Sequence, residues 1–300
     1  MKHGRFHRFT VAAAAAAALL AGTATVPAHA SAPTPLRTGL SPFGANDWNC
    51  KPSAEHPAPV VLVHATGTTA ALNWINLSPM LADAGYCVFA FDYGATLLSL
   101  GLYGGIGDIP ASARTMADFV DRVLRTTGAE KVDVVGHSQG GMMPNYYLKR
   151  LGGADKVRTL IGLSPSNHGT TSNGLGTLAE NLRLTGWVTG YFDLIQAPAF
   201  GQQSSESPFM KSLFADGDTV PGIRYVVIQT AHDKVITPYT NAFLQGENVT
   251  NILIQDQCPG NPVGHIGMFA DGPTMQNVLN ALGPNVPNFQ PACTGYGPPL

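Results

Sequence analysis

Charge is scarce in this sequence. Only 12% of its 300 residues are Asp, Glu, Lys or Arg, no basic run occurs, and the formal net charge is −2. Binding to a phosphate backbone needs a concentrated positive surface, so nucleic acid is not an expected partner. Cysteine is scarce too. There are four, with no Cys-x-x-Cys and no histidine at ligand spacing beside them, so neither a metal site nor a cysteine nucleophile is expected. No uninterrupted apolar stretch reaches the roughly 20 residues that cross hydrocarbon, which argues against an integral membrane segment. What is abundant is apolar character, 44% of residues, together with 34 Gly and 23 Pro, the composition of a globular protein with many tight turns.

Lys2, Arg5 and Arg8 precede an apolar run from Val11 to Leu20, and Ala28-His29-Ala30 offers the small residues a signal peptidase requires. Ser31-Ala32-Pro33-Thr34-Pro35 then breaks the pattern. Residues 1–30 read as a secretory signal and 31–300 as one extracellular catalytic domain. Loss of the leader leaves 14 basic against 19 acidic side chains, a mildly acidic chain with no polybasic patch for anionic lipid. Export makes disulfides chemically available. Four cysteines allow three pairings. Cys50 sits before one expected strand and Cys87 at the start of the next, while Cys258 and Cys293 bracket a late loop and the tail, so local pairing favours Cys50 with Cys87 and Cys258 with Cys293.

Short β-branched runs recur at 60–63, 87–91, 132–135, 160–163, 225–228 and 252–254, and read as buried strands. Helical patterns lie between them. In the clearest, Met116, Phe119, Val120, Val123 and Leu124 make one apolar stripe at i, i+3, i+4, i+7 and i+8. Alternation of this kind predicts an α/β fold, a mostly parallel sheet with helices on both faces. The interval 171–222 breaks the rhythm with about fifty strand-free residues and a cluster that includes Leu182, Trp187, Tyr191 and Phe192, and it reads either as a lid-like helical insertion or as an ordinary helical excursion packed on the core.

The chemistry concentrates after the strand ending at Val135. Gly136-His137-Ser138-Gln139-Gly140 is a Gly-x-Ser-x-Gly pentapeptide followed by a helical stretch, Met142 to Leu151, with Pro144 expected in its first turn. Such a strand-to-helix turn lifts the Ser138 hydroxyl above the sheet. A neutral alcohol is a poor nucleophile, so it needs a histidine within reach and an acid to orient that histidine. In Gly-x-Ser-x-Gly enzymes the chain order is Ser, acid, His. Of the nine histidines, His232 and His265 lie late enough, and only His265 has an acid on a strand end before it. Asp233, after the strand 224–230, is the expected acid; Asp256, after an expected strand 251–255, is the alternative. Oxyanion donors are expected from the Gln139 backbone N–H and from Thr66, in the turn that follows the first core strand. The run Gly101 to Gly107 lacks both the preceding strand and the Gly-x-Gly-x-x-Gly spacing of a dinucleotide loop, and reads instead as a pocket-lining loop.

These residues resemble the secreted actinobacterial lipases and esterases of the α/β-hydrolase superfamily. The resemblance rests on Asn46 to Cys50, Val60 to Thr66, Gly85-Tyr86-Cys87, Gly136 to Met142, Ser164 to Thr170, Asp233 with Val235, Thr237 and Pro238, and His265 to Met268. Ala65-Thr66-Gly67 is also similar to the oxyanion turn of the fungal lipase B type. The resemblance implies an α/β-hydrolase fold, a Ser138, Asp233 and His265 triad, and an oxyanion hole at Thr66 and Gln139. One position departs from the pattern: Ala65 stands where that turn commonly has glycine. The expected activity is hydrolysis of carboxylic esters, acylglycerols foremost, by a monomer that needs no cofactor and meets a lipid or ester substrate at an oil–water interface. Rival expectations are an acyltransferase or a polyester or short-chain esterase on the same triad, and a non-catalytic binding module on the same fold.

Overall fold

The computed structural model describes Met1 and residues 39–181, 197–283 and 285–300. The expected leader, Met1 aside, and the apolar cluster 182–196 lie outside the described residues. The chain divides into two units, Met1–Thr34 and Pro35–Leu300, of which the second holds the elements described below.

Within that unit the strands are β1 (Val60–Val63), β2 (Val88–Phe91), β3 (Val132–His137), β4 (Val157–Leu163), β5 (Arg224–Gln229) and β6 (Val249–Leu253). The helices are α1 (Ala70–Asn73), α2 (Leu77–Asp83), α3 (Ile109–Thr127), α4 (Gln139–Arg150), α5 (Ser172–Asn181), α6 (Pro198–Gln202), α7 (Pro208–Leu213), α8 (Ile254–Gln257) and α9 (Gly272–Leu282). The six strands form one sheet in the order β2-β1-β3-β4-β5-β6, and every pairing among them is parallel.

A parallel sheet covered by helices on both faces must be apolar on both, which is why β1 reads Val-Val-Leu-Val with all four residues buried. Alternate side chains serve opposite cores. Val61 and Val63 pack with Phe89, Met116, Val120 and Met142, whereas Val60 and Leu62 pack with Trp74, Leu77, Val135 and Val278. Along α3 the stripe expected from the sequence supplies Met116, Val120 and Val123 to the first core. Asp108 caps its start by accepting from the Ala111 N–H, and Gly128, at φ 78°, closes its end.

The chain leaves β1 for β2 on one side and then crosses to β3 on the other. The order therefore reverses between β1 and β3, and the crevice at their carboxyl ends is where an open α/β sheet holds ligands. Val63 and Gly136 are register partners at that point, immediately before the turns that carry Thr66 and Ser138.

Two expectations shift. The last strand runs Val249–Leu253, and Ile254 opens α8, so Asp256 sits on a helix and not beyond a strand end. That strand lies at the sheet edge and is only partly buried, which removes the continuous apolar signal of the central strands. Helix α4 begins at Gln139, so Pro144 is its sixth residue and lies inside the helix, where its ring withdraws the N–H that the Gly140 carbonyl would otherwise accept. The interval 171–222 contains α5, α6 and α7 and no strand among the described residues.

Both locally favoured disulfides are present, Cys50–Cys87 and Cys258–Cys293, with sequence separations of 37 and 35. Loops of that length give about 4 kcal/mol of stabilisation per bridge on the chain-entropy model. Reduction of both is expected to lower Tm by roughly 10–20 °C in calorimetry with and without a phosphine reductant. An unchanged Tm in fully reduced protein would show that the bridges do not limit stability.

Candidate active site

Ser138 occupies the single residue between β3 and α4, with φ 55° and ψ −122°. A side chain held at positive φ is strained, and the surroundings must over-determine it. They do so through contacts that only glycine permits. A Cβ on Gly136 would lie 1.9 Å from the Gly140 carbonyl oxygen, and one on Gly140 would lie 2.2 Å from the Val63 carbonyl oxygen. The Ser138 N–H donates to the Leu163 carbonyl at 2.9 Å, which ties the turn to β4.

The three side chains singled out in the sequence are brought into one chain of hydrogen bonds. His265 Nε2 lies 2.9 Å from Ser138 Oγ, and His265 Nδ1 lies 2.8 Å from Asp233 Oδ2. All three residues are buried. Nδ1–H donates to the carboxylate, so Nε2 presents its lone pair and the serine hydroxyl donates to it. The other oxygen of Asp233 accepts from the Val235 and Ile236 N–H groups at 2.8 and 2.7 Å, which fixes the carboxylate beyond β5. His265 rides on a loop pinned from several directions: Thr230 Oγ1 donates to the Val263 carbonyl, and the Gly264 and Ile266 N–H groups donate to the carbonyls of Pro298 and Leu300. Asp256 is exposed on α8, lining a groove of about 470 Å³ beside β6, and His232 is exposed as well.

Thr66 and Gln139 lie side by side across the β1/β3 crevice. Gln139 Nε2 donates to Thr66 Oγ1 at 3.0 Å and to the Gly105 carbonyl at 2.9 Å. Gln203 Nε2, just beyond α6, donates to Thr66 Oγ1 at 3.0 Å and to the Ala199 carbonyl at 3.2 Å. Each carbonyl identifies the amide end that faces Thr66 as nitrogen, so the hydroxyl oxygen accepts twice. Its own proton is then left to donate elsewhere. Among the described residues, neither the Thr66 nor the Gln139 backbone N–H has a protein acceptor. The glycine run expected to line the pocket packs against this turn, with Gly67 N–H donating to the Gly104 carbonyl and Gly104 N–H to the Thr68 carbonyl.

Chain order excludes His64 and His137 as the base and no motif contains Gln203, yet all three are buried at the site. His137 Nδ1 lies 3.2 Å from Asn73 Oδ1, and its Nε2 lies 3.0 Å from the His265 carbonyl. Burial, reinforced by the neighbouring His265, pushes the His137 pKa down to about 3. His64 is likewise held below the ordinary histidine value by burial. The one available hint was the place of His137 next to the serine; nothing local marks Gln203, which comes from 137 residues away.

A sequence profile for the alpha/beta hydrolase fold matches residues 58–202. Among solved structures, Aspergillus fumigatus lipase B superposes with a TM-score of 0.62 at 20% identity, over 86% of this chain and 56% of that one, so this chain spans little more than half the length of that lipase. The mature form of Bacillus licheniformis lipase BlEst2 superposes with a TM-score of 0.55 at 17% identity, over 77% of this chain and 94% of that one. The chain has the α/β-hydrolase fold, with a six-stranded parallel sheet flanked by helices.

The low His137 pKa has a consequence for acid stability. An imidazole with a native value of about 3 and an unfolded value of 6.5 stays unprotonated in the fold while the unfolded chain takes up a proton. Its contribution is therefore complete above pH 6.5 and is lost as the pH falls towards 3. Urea unfolding between pH 6 and 4 is expected to lose stability more steeply in the wild type than in His137→Asn, by about 1.4 kcal/mol per pH unit. Equal slopes would mean that His137 titrates normally in the native state.

Proposed function

We propose that this protein is a secreted serine hydrolase of carboxylic esters, with acylglycerols as its substrate class. The observation that carries the reading is the buried Ser138–His265–Asp233 hydrogen-bond chain on a strained strand-to-helix turn at the sheet's switch point. Ser138 Oγ attacks the ester carbonyl carbon as its proton passes to His265 Nε2, and Asp233, still ionised, stabilises the imidazolium. The tetrahedral oxyanion takes the Thr66 N–H, the Thr66 hydroxyl and the Gln139 N–H, the donors that lack a protein acceptor. Collapse breaks the bond to the alkoxy oxygen, which leaves as the alcohol with the proton from His265. Water then attacks the acyl-enzyme, with His265 as base, and the acid departs.

A lipid substrate fits the surface around this site. Leu97, Leu98, Leu100 and Leu102 are exposed on the segment that packs against the Thr66 turn, and Leu72 and Ile75 are exposed just after it. No Asp, Glu, Lys or Arg occurs in 65–82 or 93–107, so the rim is neutral as well as apolar. Leu100 holds φ 49°, a conformation leucine rarely adopts, while exposing its side chain. We read this rim as the face that meets an oil–water interface, the interval 171–222 as a lid-like insertion beside it, and the chain as extracellular, in keeping with its two disulfides.

Fatty-acid release from a triacylglycerol emulsion, alongside p-nitrophenyl ester turnover, tests the reading. Asp233→Asn is expected to lower kcat by about 10⁴ with KM little changed, and Asp256→Asn to stay within a few-fold of wild type. The reverse order would move the acid to the later element, and an absence of fatty-acid release would remove acylglycerols as the substrate.

A further inference from the structure

The Thr66 N–H is useful to an oxyanion only if the peptide between Ala65 and Thr66 faces one way. In a trans peptide the C=O and N–H point in opposite directions, so whatever holds the Ala65 carbonyl also aims the Thr66 N–H. His64 Nδ1 lies 2.7 Å from that carbonyl oxygen. The opposite ring nitrogen, Nε2, accepts from the Tyr93 N–H at 3.4 Å, which leaves the ring proton on Nδ1 to donate to Ala65. The ring is stacked on Tyr93 with centroids 4.2 Å apart, and the Tyr93 hydroxyl donates to the His64 carbonyl at 2.6 Å. The imidazole therefore has little freedom to turn.

The other side of Ala65 is held as well. Its N–H donates to Asn73 Oδ1 at 2.9 Å, from the last residue of α1. Asn73 Nδ2 is buried with no partner, a cost that is hard to account for unless the oxygen's position is what matters. Gly105 closes the third side, where a Cβ would come within 2.8 Å of the Ala65 oxygen and 2.9 Å of Thr66 Cα.

We propose that His64 and Asn73 are positioning residues that clamp the Ala65 peptide groups and so keep the oxyanion hole open in the resting protein. Neither touches the reacting atoms. Without the clamp the Ala65–Thr66 peptide can turn over, which would withdraw a donor and place a carbonyl oxygen where the oxyanion forms. This role rests on the ester-hydrolase reading of the same site. It also gives Asn73 a second function, because Asn73 Oδ1 faces His137 Nδ1, and His137 Nε2 faces the His265 carbonyl. His137, neutral and with one ring N–H to give, packs between the oxyanion turn and the histidine loop and can donate to one of these two oxygens.

His64→Phe keeps the stacked ring and removes the donor, whereas His64→Asn places an amide N–H close to the position of Nδ1. In the phenylalanine variant kcat for a p-nitrophenyl ester should fall about 10²-fold with KM within about threefold, since an oxyanion donor acts in the transition state alone. Affinity for an alkylboronic acid, whose tetrahedral adduct on Ser138 needs the same donors, should fall in parallel. The asparagine variant should recover to within about tenfold of wild type, a rescue that a merely structural role would not produce. Asn73→Ala should give the same kcat signature and keeps the clamp testable if the phenylalanine variant does not fold. The crystal structure of His64→Phe, or of Asn73→Ala where that variant alone folds, should show the Ala65 carbonyl turned away from residue 64, and that of His64→Asn should keep it in the wild-type orientation. Unchanged kcat, a loss with boronate affinity intact, or an unmoved peptide would each overturn the clamp. If the wild type turns over no ester, the functional reading fails instead, and the peptide orientation in the variant still decides the clamp.

Discussion

Everything at this site depends on a backbone constraint at Ser138. A left-handed φ on a non-glycine residue persists only where neighbours leave no alternative, and here the neighbours are backbone atoms brought into contact across two missing side chains. Gly140 lets the first turn of α4 rest on the carbonyl end of β1, and Gly136 lets β3 pass under that same turn. The serine hydroxyl, the Gln139 N–H and the Thr66 turn come into register through this one close approach.

The rest of the arrangement can be read as supports for groups that must not move. Asp233 is fixed by two N–H groups of its own loop, and the His265 loop by carbonyls of residues 298 and 300. Thr66 is gripped at its hydroxyl by two carboxamides and at its backbone by the Ala65 clamp. Under the proposed ester-hydrolase reading these are preorganised dipoles in a buried setting, where each is worth far more than in water and needs no rearrangement as charge develops. Gln203 has a further implication. It comes from the 171–222 interval, so part of that interval belongs to the site's frame.

Central strands were legible because burial on both faces leaves an unbroken β-branched run, as in Val60–Val63. The edge strand β6 begins at Val249, ahead of the expected 251–255, because exposed positions such as Thr250 and Asn251 carry no such signal. The start of α4 was hidden by its own function, since the glycines that permit the elbow are poor helix formers and masked a helix beginning at Gln139. Ser138, Asp233 and His265 could be picked out from motif and chain order, and the structure brings them within hydrogen-bond distance. His64, Asn73, His137 and Gln203 could not be assigned from local pattern, because their roles exist only once β1, α1, β3 and α6 are packed together.

The most direct test of the account is the site of covalent capture by a p-nitrophenyl alkylphosphonate, mapped by mass spectrometry of the digested protein. The account predicts one adduct per chain, on the peptide bearing Ser138, formed by native protein and not by protein unfolded beforehand. An adduct at another serine, or no adduct on protein that is hydrolysing esters, would contradict it.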